Sequence, residues 1–134
     1  MNSQALIRIV GVSHTYHGKG KTPPRQALKE IDLDIQRGEM LALLGPNGSG
    51  KSTLLRVLTT ALNADCGTVE VGGYDLLEEP QTVRRLLGVV FQKPALDLKM
   101  SVRENLVAAG QLYAMARRDI DDRIEALLEG LKLK

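Results

Sequence analysis

Apolar residues recur with the periods of β-strands in several segments of the chain. Alternation of apolar and polar residues over 31–35 is the period of a strand with one buried face. The continuous apolar runs 40–44 and 88–91 are typical of strands that are buried on both faces by helices. The predicted strands are therefore residues 6–12, 31–35, 40–44, 67–71 and 88–91, with a turn at Gly72-Gly73.

Helical spacing fills much of the rest. Residues 51–62 carry a wide apolar face, and Pro80 predicts the start of a short helix that runs to Leu86. Ser101 and Glu104 match a capping box and predict a helix through about residue 115. A last helix is predicted around residues 120–131. Glycines, prolines and basic residues make 17–26 a predicted exposed loop. Strands that alternate with helices predict the α/β class.

Composition limits the classes of function. The 134 residues suit one compact domain. The 18 Lys+Arg nearly balance the 16 Asp+Glu, so the net charge gives no argument for a nucleic-acid partner. The chain has one cysteine, Cys66, and so forms no intrachain disulfide, which favours a reducing, cytoplasmic setting. We expect Cys66 to serve as a small residue beside a turn. No apolar run has the length of a membrane span.

One motif carries chemistry. The pattern G-x-x-x-x-G-K-[ST] is matched by Gly45, Pro46, Asn47, Gly48, Ser49, Gly50, Lys51, Ser52 and Thr53. Glycines let successive backbone N–H groups face one concave space, and the start of a helix adds positive potential there. Lys51 can reach the β- and γ-phosphates, and the Ser52 hydroxyl can bind Mg²⁺. The motif predicts a nucleoside triphosphate site.

The motif also resembles the Walker A motif of ATP-binding cassette (ABC) ATPases, and the likeness extends to its flanks. Residues 12–16 and 27–35 resemble the opening strands of that family, residues 67–75 its next strand and turn, and residues 88–92 its Q-loop. Residues 84–88 and 96–106 are most similar to exporter ATPases of the daunorubicin-resistance kind.

The resemblance implies an incomplete P-loop NTPase core over residues 1–92, with N-terminal antiparallel strands, and the start of a helical subdomain over 93–134. It implies that Tyr16 stacks on adenine, that residues 45–53 bind ATP and Mg²⁺, and that Gln92 contacts the metal and the attacking water. Lys51 and Gln92 would be the catalytic residues, and Ser52 and Gln92 the metal ligands. The implied partners are a membrane permease and a second ATP-binding subunit in a head-to-tail dimer, at the cytoplasmic face of a membrane.

Three elements of the family are not found in these residues: the signature loop, the Walker B strand with its carboxylates, and the switch histidine. We therefore expect the chain to bind Mg·ATP weakly and to hydrolyse it negligibly. The alternatives are a non-hydrolysing regulatory fragment, an ABC protein of repair or translation, and a small P-loop kinase. His14 and His17 are expected at the surface, and Glu30, Asp32 and Asp34 on a solvated strand face.

Overall fold

The computed structural model describes residues 5–18, 20, 23–90, 92 and 96–133. The chain divides into two compact units, Met1–Val89 and Val90–Lys134. The first unit contains a β-sheet with two helices, and the second contains a pair of helices.

The sheet of the first unit is antiparallel and has the strand order β2-β1-β3-β4. Its strands are β1 (Ile7–Tyr16), β2 (Arg25–Ile35), β3 (Cys66–Val71) and β4 (Tyr74–Asp75). The predictions for residues 6–12, 31–35 and 67–71 are confirmed, although β1 and β2 are longer than predicted. As a result β2 begins inside the predicted loop 17–26, because Arg25 and Gln26 pair with the end of β1. Cys66 is exposed at the start of β3, and the carboxylates predicted on a solvated face of β2 are also exposed.

Aliphatic side chains from the sheet and two helices form the core of this unit. Helix α1 (Lys51–Leu58) contributes Leu54 and Val57, and helix α2 (Pro80–Leu86) contributes Val83. The other members of the cluster are Ile9, Val12, Leu28, Val69, Val71 and Leu76. Helix α1 is shorter than predicted, because Thr60 takes a left-handed conformation with φ 59° directly after the C-cap residue.

Two predicted strands are wrong. Residues 40–44 and 88–90 are not strands and are largely exposed, with Met40 at 96% and Val90 at 98% of full exposure; Phe91 lies outside the described residues. An apolar run states only that a segment prefers burial, whereas a strand also needs a hydrogen-bonded neighbour. No strand in the described part of the first unit pairs with either segment.

The second unit contains α3 (Val102–Leu112) and α4 (Arg117–Gly130). The helices approach closely where Gly110 lies against the Ile120 side chain, which would clash with any added Cβ. Arg103 on α3 forms ion pairs with Asp121 at 3.4 Å and Glu125 at 2.8 Å on α4. Among the described helices, none has the length and hydrophobicity needed to cross a bilayer.

The predicted capping box starts α3. Ser101 Oγ accepts a hydrogen bond from the Glu104 N–H, and the Glu104 carboxylate accepts from both the Ser101 hydroxyl and the Ser101 N–H. These two bonds, the hydroxyl bond first, hold the pKa of Glu104 below its ordinary value.

Because this pKa is lowered by folding, the stabilisation is present above the pKa of the unfolded chain and is lost as pH falls through the lower, folded value. We expect acidification to speed hydrogen exchange in the first turn of α3. Glu104→Gln should remove that pH dependence, whereas Glu129→Gln at the exposed end of α4 should leave it unchanged. Equal pH dependence in the wild type and Glu104→Gln would contradict the assignment.

Candidate functional site

The site is centred on the glycine loop, defined as residues 45–50, which leads directly into α1. Gly50 is the N-cap residue and has φ 94°, a left-handed conformation that disfavours other residues. A Cβ at this position would strike the carbonyl oxygen of Ala27 on β2. Glycine is therefore required both for the turn and for the close approach of the loop to β2.

The start of α1 favours an anion. The N-cap residue offers no side-chain hydrogen bond, and no acidic residue lies in the first turn. The first N–H groups of a helix have no partner within the helix, and they carry the positive end of its dipole. An anion at this point would supply the missing acceptors.

Lys51 is folded back onto the glycine loop. Its ammonium group donates to the carbonyl oxygens of Gly45 at 2.6 Å and Pro46 at 2.8 Å, and to the Ser49 hydroxyl at 3.4 Å. The loop thus holds a full positive charge beside the start of α1, next to the exposed residue Ser52.

Tyr16 closes another side of the site from the end of β1. Its hydroxyl lies 3.3 Å from Oγ1 of Thr53, a residue that is only 7% exposed. Its ring meets the His14 ring edge-on, with centroids 4.8 Å apart and planes at 86°. The ring of Tyr16 is therefore held between β1 and α1.

His14 is buried, so the prediction that it is a surface residue is wrong; His17 is exposed as predicted. His14 Nδ1 lies 3.1 Å from an Asp65 carboxylate oxygen but has no hydrogen-bond partner among the described residues. The other Asp65 oxygen accepts from the Thr15 N–H at 2.7 Å. Alternation on β1 places His14 on the face of Tyr16, and that face is covered here.

The glycine loop, the start of α1 and the facing ends of β1 and β2 surround one cavity of about 190 Å³. Its lining residues are Tyr16, Arg25, Ala27, Asn47, Gly48, Gly50, Lys51, Ser52 and Thr53. Two of them are cations, and no aspartate or glutamate is among the described residues that line it. The cavity has the shape and charge to accept a polyanion.

Sequence reasoning missed Arg25 and Ala27. Arg25 Nη2 donates to the carbonyl oxygen of Gly48 at 2.7 Å, so the guanidinium lies on the glycine loop. The signal that was present is charge: Arg25 is one of the basic residues in the predicted loop 17–26. Only the pairing of β1 with β2 shows which of those residues lies beside the motif.

Gln92 lies in the second unit, where it is an exposed residue at a bend; residues 91 and 93–95 lie outside the described part of the chain. The proposed metal contact of Gln92 stays a prediction.

Comparison with known proteins gives consistent findings. The family model described as ABC transporter matches residues 28–134. The doxorubicin resistance ATP-binding protein DrrA of Mycobacterium tuberculosis is 38% identical over 132 residues, which are 98% of this chain and 39% of that protein. The daunorubicin resistance ATP-binding protein DrrA3 of Streptomyces coeruleorubidus is 41% identical over 109 residues, 81% of this chain and 34% of that protein. The chain thus spans less than half the length of these relatives, and the resemblance to the daunorubicin-resistance kind is confirmed.

Solved structures agree on the fold. A dimeric structure of a bacterial ABC transporter cassette matches with a TM-score of 0.76 and 28% identity, covering 92% of this chain and 56% of that one. A cassette dimer in a post-hydrolysis state, bound to ADP and Pi, matches with a TM-score of 0.76 and 27% identity, over the same shares of the two chains. The predicted fold class, an α/β P-loop NTPase core that is present in part, is confirmed.

The close approach at Gly50 generates a prediction. Gly50→Ala should cost about 1–2 kcal/mol for the left-handed conformation alone, and displacement of the loop from Ala27 should weaken binding of inorganic tripolyphosphate. Gly38→Ala is the matched control, because Gly38 has φ 80° with open space around its Cα. Urea unfolding and titration calorimetry measure both effects, and equal behaviour of the two variants would contradict a steric role for Gly50.

Proposed function

The chain belongs to the ABC transporter family, and we propose that it is the nucleotide-binding part of a transporter ATP-binding subunit that takes up Mg·ATP. The single observation that carries this proposal is the cavity at the glycine loop, where a helix start without a side-chain cap meets Lys51 and Arg25. A phosphate chain satisfies both, because it supplies acceptors to the helix N–H groups and negative charge to the cations.

Lys51 exchanges partners when ATP binds. Its ammonium group donates to loop carbonyls at 2.6 and 2.8 Å. Phosphate oxygens are stronger acceptors than carbonyls because they are charged. Lys51 therefore moves from the loop to the β- and γ-phosphates, with the backbone N–H groups at the start of α1, residues 51–53, as further donors.

Mg²⁺ fits the same end of the cavity. Ser52 offers a hydroxyl oxygen in the first turn of α1, a ligand type that Mg²⁺ accepts when phosphates and water supply the others. Gln92 is the second proposed ligand, through its amide oxygen. When bound, the metal neutralises charge on the β- and γ-phosphates.

Tyr16 provides the surface for the adenine ring. Its hydroxyl is restrained by Thr53. A ring that is already fixed loses little entropy when a base stacks on it.

The wider role follows from the family. We assign residues 1–92 to the ATP-binding core and 93–134 to the start of the helical subdomain. The partners are a membrane permease and a second ATP-binding subunit in a head-to-tail dimer, with the protein peripheral at the cytoplasmic face of the membrane and no nucleic acid involved. Relatives named as drug-resistance ATP-binding proteins and matching cassettes that are dimeric support this assignment.

Lys51→Ala tests the proposal. Loss of a charge-assisted contact to phosphate should weaken ATP binding by roughly 10- to 100-fold. Titration calorimetry with Mg·ATP measures the dissociation constant. Lys29→Ala removes the same charge from an exposed position on β2 outside the cavity and should bind as the wild type does. Equal binding by Lys51→Ala and Lys29→Ala would contradict the proposal.

Phosphate release under the same conditions tests hydrolysis. We expect the chain to bind ATP with negligible turnover, because no carboxylate that could polarise water is among the described residues lining the cavity. Turnover that Lys51→Ala abolishes would overturn this expectation while leaving ATP binding in place.

A further inference from the structure

Arg25 lies outside the motif at residues 45–53, and strand pairing brings it to the site. In the β1–β2 ladder, Tyr16 is the direct partner of Arg25. Residues that face each other in an antiparallel pair project their side chains to the same face of the sheet. Arg25 therefore shares a face with Tyr16, whose hydroxyl already contacts Thr53 at the start of α1.

The Arg25 side chain crosses from β2 to the glycine loop. Its Nη2 donates to the Gly48 carbonyl oxygen at 2.7 Å, and a Cβ on Gly48 would lie 2.5 Å from that nitrogen. Glycine at position 48 thus leaves room for the guanidinium. A guanidinium has five N–H donors, and the bond to Gly48 uses one of them.

We infer that Arg25 is a second phosphate-binding residue of the site, which reaches the phosphate chain from β2 while Lys51 reaches it from α1. The inference rests on the proposed function. Arg25 and Lys51 are the two cations of the cavity, and no carboxylate among its described lining residues competes for either of them. A planar guanidinium presents two parallel N–H donors that match two phosphate oxygens in a fixed geometry, which an ammonium group lacks.

The Gly48 carbonyl holds Arg25 in place. That bond is between a cation and a neutral acceptor, so a phosphate oxygen is a stronger partner. Arg25 therefore plays the same part on the β2 side that Lys51 plays on the α1 side. Each cation donates to a carbonyl of the glycine loop and exchanges that acceptor for a phosphate oxygen of the ligand.

The experiment compares the wild type with Arg25→Gln, Arg25→Lys and Lys29→Gln, using Mg·ATP and inorganic tripolyphosphate as probes in titration calorimetry. Arg25→Gln should weaken both ligands by a similar factor, roughly tenfold. Arg25→Lys keeps the charge but not the fork, and should lie between Arg25→Gln and the wild type. Lys29→Gln removes a charge from an exposed position of the same strand and should stay within about twofold, because exposed charges are screened by salt.

Circular dichroism and urea unfolding establish that each variant is folded; if Arg25→Gln is not, the comparison of Arg25→Lys with the wild type decides. Equal affinities of Arg25→Gln and Lys29→Gln for tripolyphosphate would overturn the inference. A loss for ATP without a loss for tripolyphosphate would also overturn it, by placing Arg25 at the base. Wild-type binding that is lost in Lys51→Ala but kept in Arg25→Gln overturns this inference alone, whereas a wild type that binds neither ligand overturns the proposed function as well.

Discussion

The candidate site depends on the close approach of the glycine loop to the start of β2. Gly50 sits against the Ala27 carbonyl and within 3.2 Å, as measured from an ideal Cβ, of a Leu28 methyl group, and Gly48 accepts a hydrogen bond from Arg25. This contact joins the loop to a strand that is itself anchored by the buried side chain of Leu28. Tyr16 lies beside the same contact, because it is the ladder partner of Arg25. A side chain at position 50 would meet the Ala27 carbonyl and push the loop away from the strand that carries Arg25.

Both cations of the site have acceptors within the glycine loop. Lys51 and Arg25 both donate to carbonyl oxygens of the glycine loop, so neither cation depends on solvent alone. This arrangement keeps both positive groups at short range from the start of α1 without an acidic neighbour among the described lining residues. An anionic ligand then replaces neutral acceptors by charged ones, which favours binding of phosphate over binding of a neutral molecule.

Local signals in the sequence were sufficient for several elements. The capping box at Ser101 and Glu104, the proline at the start of α2 and the alternation over 31–35 each describe interactions between residues close in sequence, and each prediction is confirmed. The glycine loop was also found, because its motif is contiguous. Elements that depend on distant partners were not predictable in this way. The segments 40–44 and 88–90 have strand-like composition, but composition does not state which backbone will pair with them.

Arg25 and His14 show the same limit at the site. The sequence places Arg25 in an exposed loop, since the loop-forming residues Gly18, Gly20, Pro23 and Pro24 precede it. Its place beside the glycine loop is decided by the register between β1 and β2. The sequence predicts His14 at the surface, although it occupies an inward position on β1 and is 7% exposed. The error at Arg25 concerns where a strand begins, and the error at His14 concerns which face of a strand is covered; both depend on neighbours distant in sequence.

The glycine loop is held unequally on its two sides. After the loop, α1 is anchored by the buried residues Thr53, Leu54 and Val57, and the β2 contact lies on the same side. Before the loop, the apolar segment 40–44 is exposed, and Leu44 next to Gly45 reaches 91% of full exposure. The first half of the loop is joined to α1 by the Lys51 ammonium group, which donates to the Gly45 and Pro46 carbonyls. A ligand that binds only the folded loop stabilises it, so occupancy of the site and stability of the glycine loop are thermodynamically linked.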